Sequence, residues 1–84
     1  MLERGTVVRS LAGRDSNRLL AVMQADEKSV LVCDGKERPI DRPKKKNLRH
    51  VEATGITLSG DSLATNRALK KALKEAETEI NCNN

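Results

Sequence analysis

The chain contains no phenylalanine, tyrosine or tryptophan, and that absence limits what its interior can be. With 84 residues there is room for one small domain, and a chain of this size buries only ~60–65% of the surface its unfolded form exposes. Packing has to come from Leu, Val, Ile, Ala and Met, each contributing ~1.5–3 kcal/mol when fully buried. A barrel with a short interior suits such side chains better than a wide sandwich.

Other scarcities exclude whole classes of chemistry. Two cysteines, Cys33 and Cys82, are too few for a disulfide framework, and with His50 as the only histidine no zinc spacing exists. No Cys/His or Ser/His arrangement and no G-x-x-x-x-G-K-[ST] phosphate loop is present, so neither enzyme activity nor a cofactor is expected. Cys33 sits in a Val/Leu run and reads as a small buried hydrophobe. The longest apolar run is Leu19-Leu20-Ala21-Val22-Met23, far short of a membrane span, and residues 1–20 lack a signal-peptide core. The expected setting is the reducing cytoplasm, with no membrane partner.

What the chain does have is positive charge, unevenly spread. The net charge is +4, yet residues 1–50 hold twelve Lys/Arg against seven Asp/Glu, and residues 51–84 hold four against five. A basic first half suggests a polyanionic partner.

That half alternates short apolar bursts with turn chemistry. Thr6–Arg9 reads as a first strand, Ala12–Asn17 as a loop, Arg18–Gln24 as a second strand and Ala25–Lys28 as a turn. Ser29–Cys33 makes a third strand, and Asp34-Gly35 predicts a two-residue hairpin in which Gly supplies positive φ. Lys36–Ile40 would then return as a fourth strand, held at an edge by Pro39. Asp41–Asn47 reads as an irregular basic arm and Leu48–Glu52 as a short closing strand. Five short strands joined by tight turns predict a small closed or nearly closed barrel over residues 1–53.

The remainder differs in kind. Residues 54–64 read as a Thr/Gly/Ser linker, 65–80 as an amphipathic helix and 81–84 as a disordered tail. Thr65 or Asn66 can cap the helix, and Leu69, Ala72, Leu73, Ala76 and Ile80 form one apolar stripe. Its charges run against the macrodipole: Arg67, Lys70, Lys71 and Lys74 come first, and Glu75, Glu77 and Glu79 last. Such a helix should depend on packing against the barrel or a partner.

The loop carries a resemblance. Gly5-Thr6-Val7-Val8-Arg9-Ser10-Leu11-Ala12-Gly13-Arg14-Asp15-Ser16-Asn17-Arg18-Leu19-Leu20-Ala21-Val22 resembles a KOW motif, in which a strand leads through Gly-x-Asp-x-Gly-(Lys/Arg) into a second apolar strand. Val30–Lys36 and Arg42-Pro43-Lys44-Lys45-Lys46-Asn47-Leu48-Arg49-His50 extend the match, as does the segment from Thr65 to Leu73. Together they resemble small bacterial KOW-domain RNA-binding proteins, a family related to large-subunit ribosomal proteins of the fourteen-e, six-e and twenty-seven-e group. The resemblance implies a mainly β fold, a five-stranded SH3-like barrel followed by a C-terminal α-helix, and RNA binding in the translation apparatus. The motif turn would be Gly13, Asp15 and Asn17, with Asn17 standing where the motif has its second glycine. Asn is the residue that best tolerates positive φ after Gly.

Candidate RNA contacts are Arg14 and Arg18 from the loop, and Arg42, Lys44, Lys45, Lys46 and Arg49 from the arm. Three adjacent lysines cannot all face a core, so at least two must project toward solvent, where they can meet phosphates as point charges. Without aromatic stacking platforms, binding should favour phosphates and the shape of structured RNA over base sequence. The expected partner is ribosomal RNA, with ribosomal proteins as candidate neighbours and the protein itself a monomer. A rival of a different class is a protein-interaction adaptor docking through the barrel edge or the helix.

Overall fold

The computed structural model describes residues 2–13 and 17–82, and within it the side chains of residues 2–13 and 17–80. Five strands form one antiparallel sheet: β1 (Thr6–Ser10), β2 (Leu19–Ala25), β3 (Ser29–Cys33), β4 (Lys44–Asn47) and β5 (Val51–Thr57). Their order across the sheet is β4-β3-β2-β1-β5. The edges β4 and β5 are thus consecutive in the chain, joined by a single 3-10 turn at Leu48–His50. No pairing joins these edges among the described residues, so the sheet is not closed by hydrogen bonds. A second 3-10 turn, Gly60–Leu63, leads to the helix α1 (Asn66–Cys82).

Alternation along the strands buries both faces of the sheet, as period-2 side chains require. Val7, Leu19, Ala21 and Cys33 point to one face, where Leu63, Leu69, Leu73 and Ala76 cover them. Val8, Leu20, Val22, Val30 and Val32 point to the other, joined by Leu2, Leu48 and Val51. Leu48 opens the turn between the two edges and Val51 follows it, so this turn packs against the second cluster. The helix that sequence alone left in want of support therefore finds it in the sheet. Thr65 caps it, its Oγ1 accepting from the Ala68 N–H at 3.0 Å.

Strands β1, β2 and β3 lie where the apolar pattern placed them, but three elements differ. Lys36–Ile40 is not a strand. Asp34 Oδ1 accepts from the N–H groups of Lys36 (2.8 Å) and Arg38 (2.9 Å), and Asp34 N–H donates to the Arg38 carbonyl at 2.9 Å. These bonds wind the segment into a side-chain-capped loop in place of a two-residue hairpin. The fourth strand is instead Lys44–Asn47, within the segment read as an irregular arm; it pairs with β3 from Lys44↔Val32 to Asn47↔Ser29. Lastly, the closing strand starts at Val51 and runs to Thr57, into the stretch read as linker. Gly55 (φ +87°) allows β5 to bulge between its Ala53 and Thr57 pairings, and Thr54 Oγ1 donates to the Val7 carbonyl at 2.8 Å, filling the gap in the ladder. The helix continues past Ile80 through Asn81 to Cys82, and Asn83 and Asn84, the rest of the expected tail, lie outside the described residues.

Candidate nucleic-acid interface

The β1–β2 connection is the segment that resembles the KOW loop. Its stems are pinned by backbone bonds: Ser10 N–H to the Arg18 carbonyl (2.9 Å) and Asn17 N–H to the Ser10 carbonyl (2.8 Å). The Arg9 guanidinium donates to the Asn17 carbonyl at 3.1 Å. Asn17 has φ +68°, the one positive φ at a non-glycine among the described residues, and Gly13 has φ +81°. Asn17 thus adopts the left-handed conformation that a glycine would occupy there. Arg14 and Asp15, a candidate contact and a candidate turn residue, lie outside the described residues.

Strand β4 brings the lysines beside this loop. Lys44 and Lys46 pair directly with Val32 and Val30, so they share the face of the second apolar cluster, while Lys45 pairs with Leu31 on the opposite side. Lys46 is only 9% exposed. Its aliphatic stem covers apolar surface while its Nζ reaches the Ala12 carbonyl at 3.4 Å, a snorkelling geometry. Lys44 is half-buried, Lys45 exposed. Of the three adjacent lysines, then, two share the face of the cluster, and Lys46 alone is buried and ties β4 to the loop.

The turn after β4 lies beside the start of the same loop. Asn47 Oδ1 accepts from Arg49 N–H at 2.9 Å, and the His50 carbonyl accepts from Leu11 N–H at 2.8 Å, fastening this turn to the exit of β1. Arg49 and His50 are both exposed. Arg42 is exposed in the loop before β4, where its N–H donates to the Pro39 carbonyl at 3.0 Å. A concavity beside Lys45 is lined by Lys28, Lys45, Lys46 and Asn47 together with Asp26, Glu27 and Ser29. The Asp26 carboxyl is held below its ordinary range, first by the N–H groups of Lys28 and Ser29 and then by the Ser29 hydroxyl. Its charge is therefore committed to the turn.

Arg18 stands apart from this group. It pairs with Glu37 at 2.9 Å and lines a groove against α1, with Lys36, Lys70 and Lys74. Among the described residues the candidate contacts therefore divide between a surface on and beside β4 and a second one, at Arg18, facing the helix. The second surface was missed in the sequence because its lysines are spread over the loop after β3 and α1; their common spacing on the helix was the available signal. Cys33 is fully buried, and burial together with the adjacent Asp34 charge pushes its thiol up to about 11, so it is inert at neutral pH. Among the described residues there is no cluster of metal-ligating side chains, and no helix is long and apolar enough to cross a membrane. Neither a protein-family model nor a curated protein matches the sequence.

Proposed function

We propose that this chain is an SH3-like barrel of KOW type that binds structured RNA through its phosphates, with ribosomal RNA as the target. The observation that carries the reading is the contact between Lys46 and Ala12, which sets the basic strand β4 directly against the loop resembling the KOW motif. Two further features support it. Asn17 holds positive φ at the position of the motif's glycine. The sheet's two edges are consecutive in the chain and bridged by a single 3-10 turn, which supports reading the sheet as barrel-like.

In this reading Lys46 positions the loop, and Arg42, Lys45 and Arg49 meet phosphates. Arginine can engage a phosphate through two parallel N–H bonds, whereas lysine acts as a point charge, and neither reads a base by itself. The test is ultraviolet crosslinking of the intact protein in cells, followed by sequencing of attached RNA. Recovery of a few discrete sites in ribosomal RNA is expected. Crosslinks no denser than those of an unrelated basic protein refute the reading.

A further inference from the structure

Helix α1 carries a pattern that its packing does not explain. Arg67, Lys70, Lys71 and Lys74 recur at offsets 0, 3, 4 and 7. At 100° per residue they form a stripe almost opposite the buried Leu69, Leu73 and Ala76. All four are exposed, and among the described residues none forms an ion pair with a carboxylate. They occupy the first half of the helix, where the macrodipole disfavours cations, and α1 has no acidic residue in its first turn and no basic one in its last. Lys71 and Lys74 stand four and three residues before Glu75 and Glu77, a spacing that supports an exposed helix only weakly, and Arg67 and Lys70 have no acid at such a spacing.

The stripe does not end at the helix. A groove of about 430 Å³ separates α1 from the turns at Asn17 and Asp34, and Arg18 and Lys36 stand across it from Lys70 and Lys74. The acids lining the groove are Asp34 and Glu77, Asp34 Oδ1 already accepts two backbone N–H groups, and the Arg18–Glu37 pair is solvent-exposed, a contact weak enough for a phosphate to displace. We infer that α1 and this groove form a second phosphate-binding surface, made by Arg67, Lys70, Lys71 and Lys74 and extended by Arg18 and Lys36, so that RNA is gripped on two sides. This rests on the RNA-binding reading above and deepens it. The stripe is roughly 10 Å long, enough to meet more than one phosphate of an RNA strand. A protein partner would want an apolar centre to its contact. Among the described residues the one exposed large hydrophobic side chain is Leu11, outside this surface.

The experiment titrates the full chain against a transcribed stem-loop RNA between about 50 and 200 mM KCl, the range over which phosphate contacts dominate the change in affinity. Wild type is compared with two variants, Lys70→Gln/Lys71→Gln/Lys74→Gln and Arg42→Gln/Lys45→Gln/Arg49→Gln. Gln matches Lys in helix propensity, and circular dichroism melting verifies that each variant folds. With each contact contributing about 0.7–0.9 to the log-affinity against log-salt slope, the helix variant should lose about 2 from its magnitude. If only the β4 variant loses slope, the second surface is overturned while the β4 site stands. If only the helix variant does, the second surface stands and the β4 site fails. A wild type that binds no RNA at any of these salts overturns both.

Discussion

Asn17 is the sharpest place to perturb the fold, because its backbone conformation and its chemistry can be separated. Its φ of +68° lies in the left-handed region, and its N–H and carbonyl are both engaged, with Ser10 and Arg9 respectively. Among the described residues its side chain makes no hydrogen bond, so substitution leaves these backbone bonds in place. A left-handed conformation costs an ordinary L-residue ~1–2 kcal/mol, and Asn less. Asn17→Ala should therefore destabilise by about 1 kcal/mol. Asn17→Gly removes the steric penalty but adds ~0.4–1 kcal/mol of unfolded-state entropy, and should stay within about 0.5 kcal/mol of wild type. For a chain of this size a loss of about 1 kcal/mol moves Tm by ~4–8 °C. The chain has no tryptophan or tyrosine, so melting is followed by far-ultraviolet circular dichroism. An Ala variant as stable as wild type, or a Gly variant that falls as far as Ala, would refute the reasoning.

Other perturbations test the packing. Gly35 has φ +81°, and a Cβ there would run into the Asn66 carbonyl at the start of α1. Gly35→Ala should cost about 2–3 kcal/mol in urea unfolding, and a loss under about 0.5 kcal/mol would contradict that close approach. Removing the cap with Thr65→Ala should cost about 1 kcal/mol, whereas Thr65→Ser should keep most of it. Cys33 gives a pH dependence. Its folded value near 11 lies above the ordinary 9.0, so its stabilising contribution is complete below pH 9 and is lost as pH rises toward 11. That loss is on the order of 2–3 kcal/mol. Comparing the melting of wild type and Cys33→Ala from pH ~8 to ~11 checks it: the wild type should fall more steeply, and parallel curves would count against the assignment.

How much of this was legible in the sequence depended on where side chains could speak for the backbone. Ser29–Cys33 and Leu19–Ala25 announce themselves because Val30 and Val32 bury one face and Leu19, Leu20 and Val22 bury both. The stripe from Leu69 to Ile80 fixes α1 for the same reason. Strand β4 was hidden because Lys-Lys-Lys-Asn offers no apolar alternation; its pairing with β3 and the burial of one lysine stem make it a strand. Asp34-Gly35 misled because an Asp side chain can cap a loop as readily as it can precede a hairpin. The second half of β5 looked like linker because Thr and Gly at a bulge resemble Thr and Gly in a loop.

The candidate site was legible in the same uneven way. The residues of the loop and of the basic segment could be named from the sequence, and Lys46 brings the two segments together at the Ala12 carbonyl. Which lysine turns inward could not be read from three identical residues. The register sets Lys44 and Lys46, opposite Val32 and Val30, on the cluster's face and Lys45, opposite Leu31, away from it; of the two, Lys46 is the buried one. Arg18, adjacent to the loop in sequence, turns toward Glu37 and the helix instead.

The central claim is that exposed cations on and beside β4 bind RNA phosphates, and the salt dependence of binding tests it most directly. For Arg42→Gln/Lys45→Gln/Arg49→Gln on a structured RNA, the slope of log affinity against log salt should lose about 2 in magnitude, with melting unchanged. A variant that binds with the wild-type slope and affinity would contradict the account.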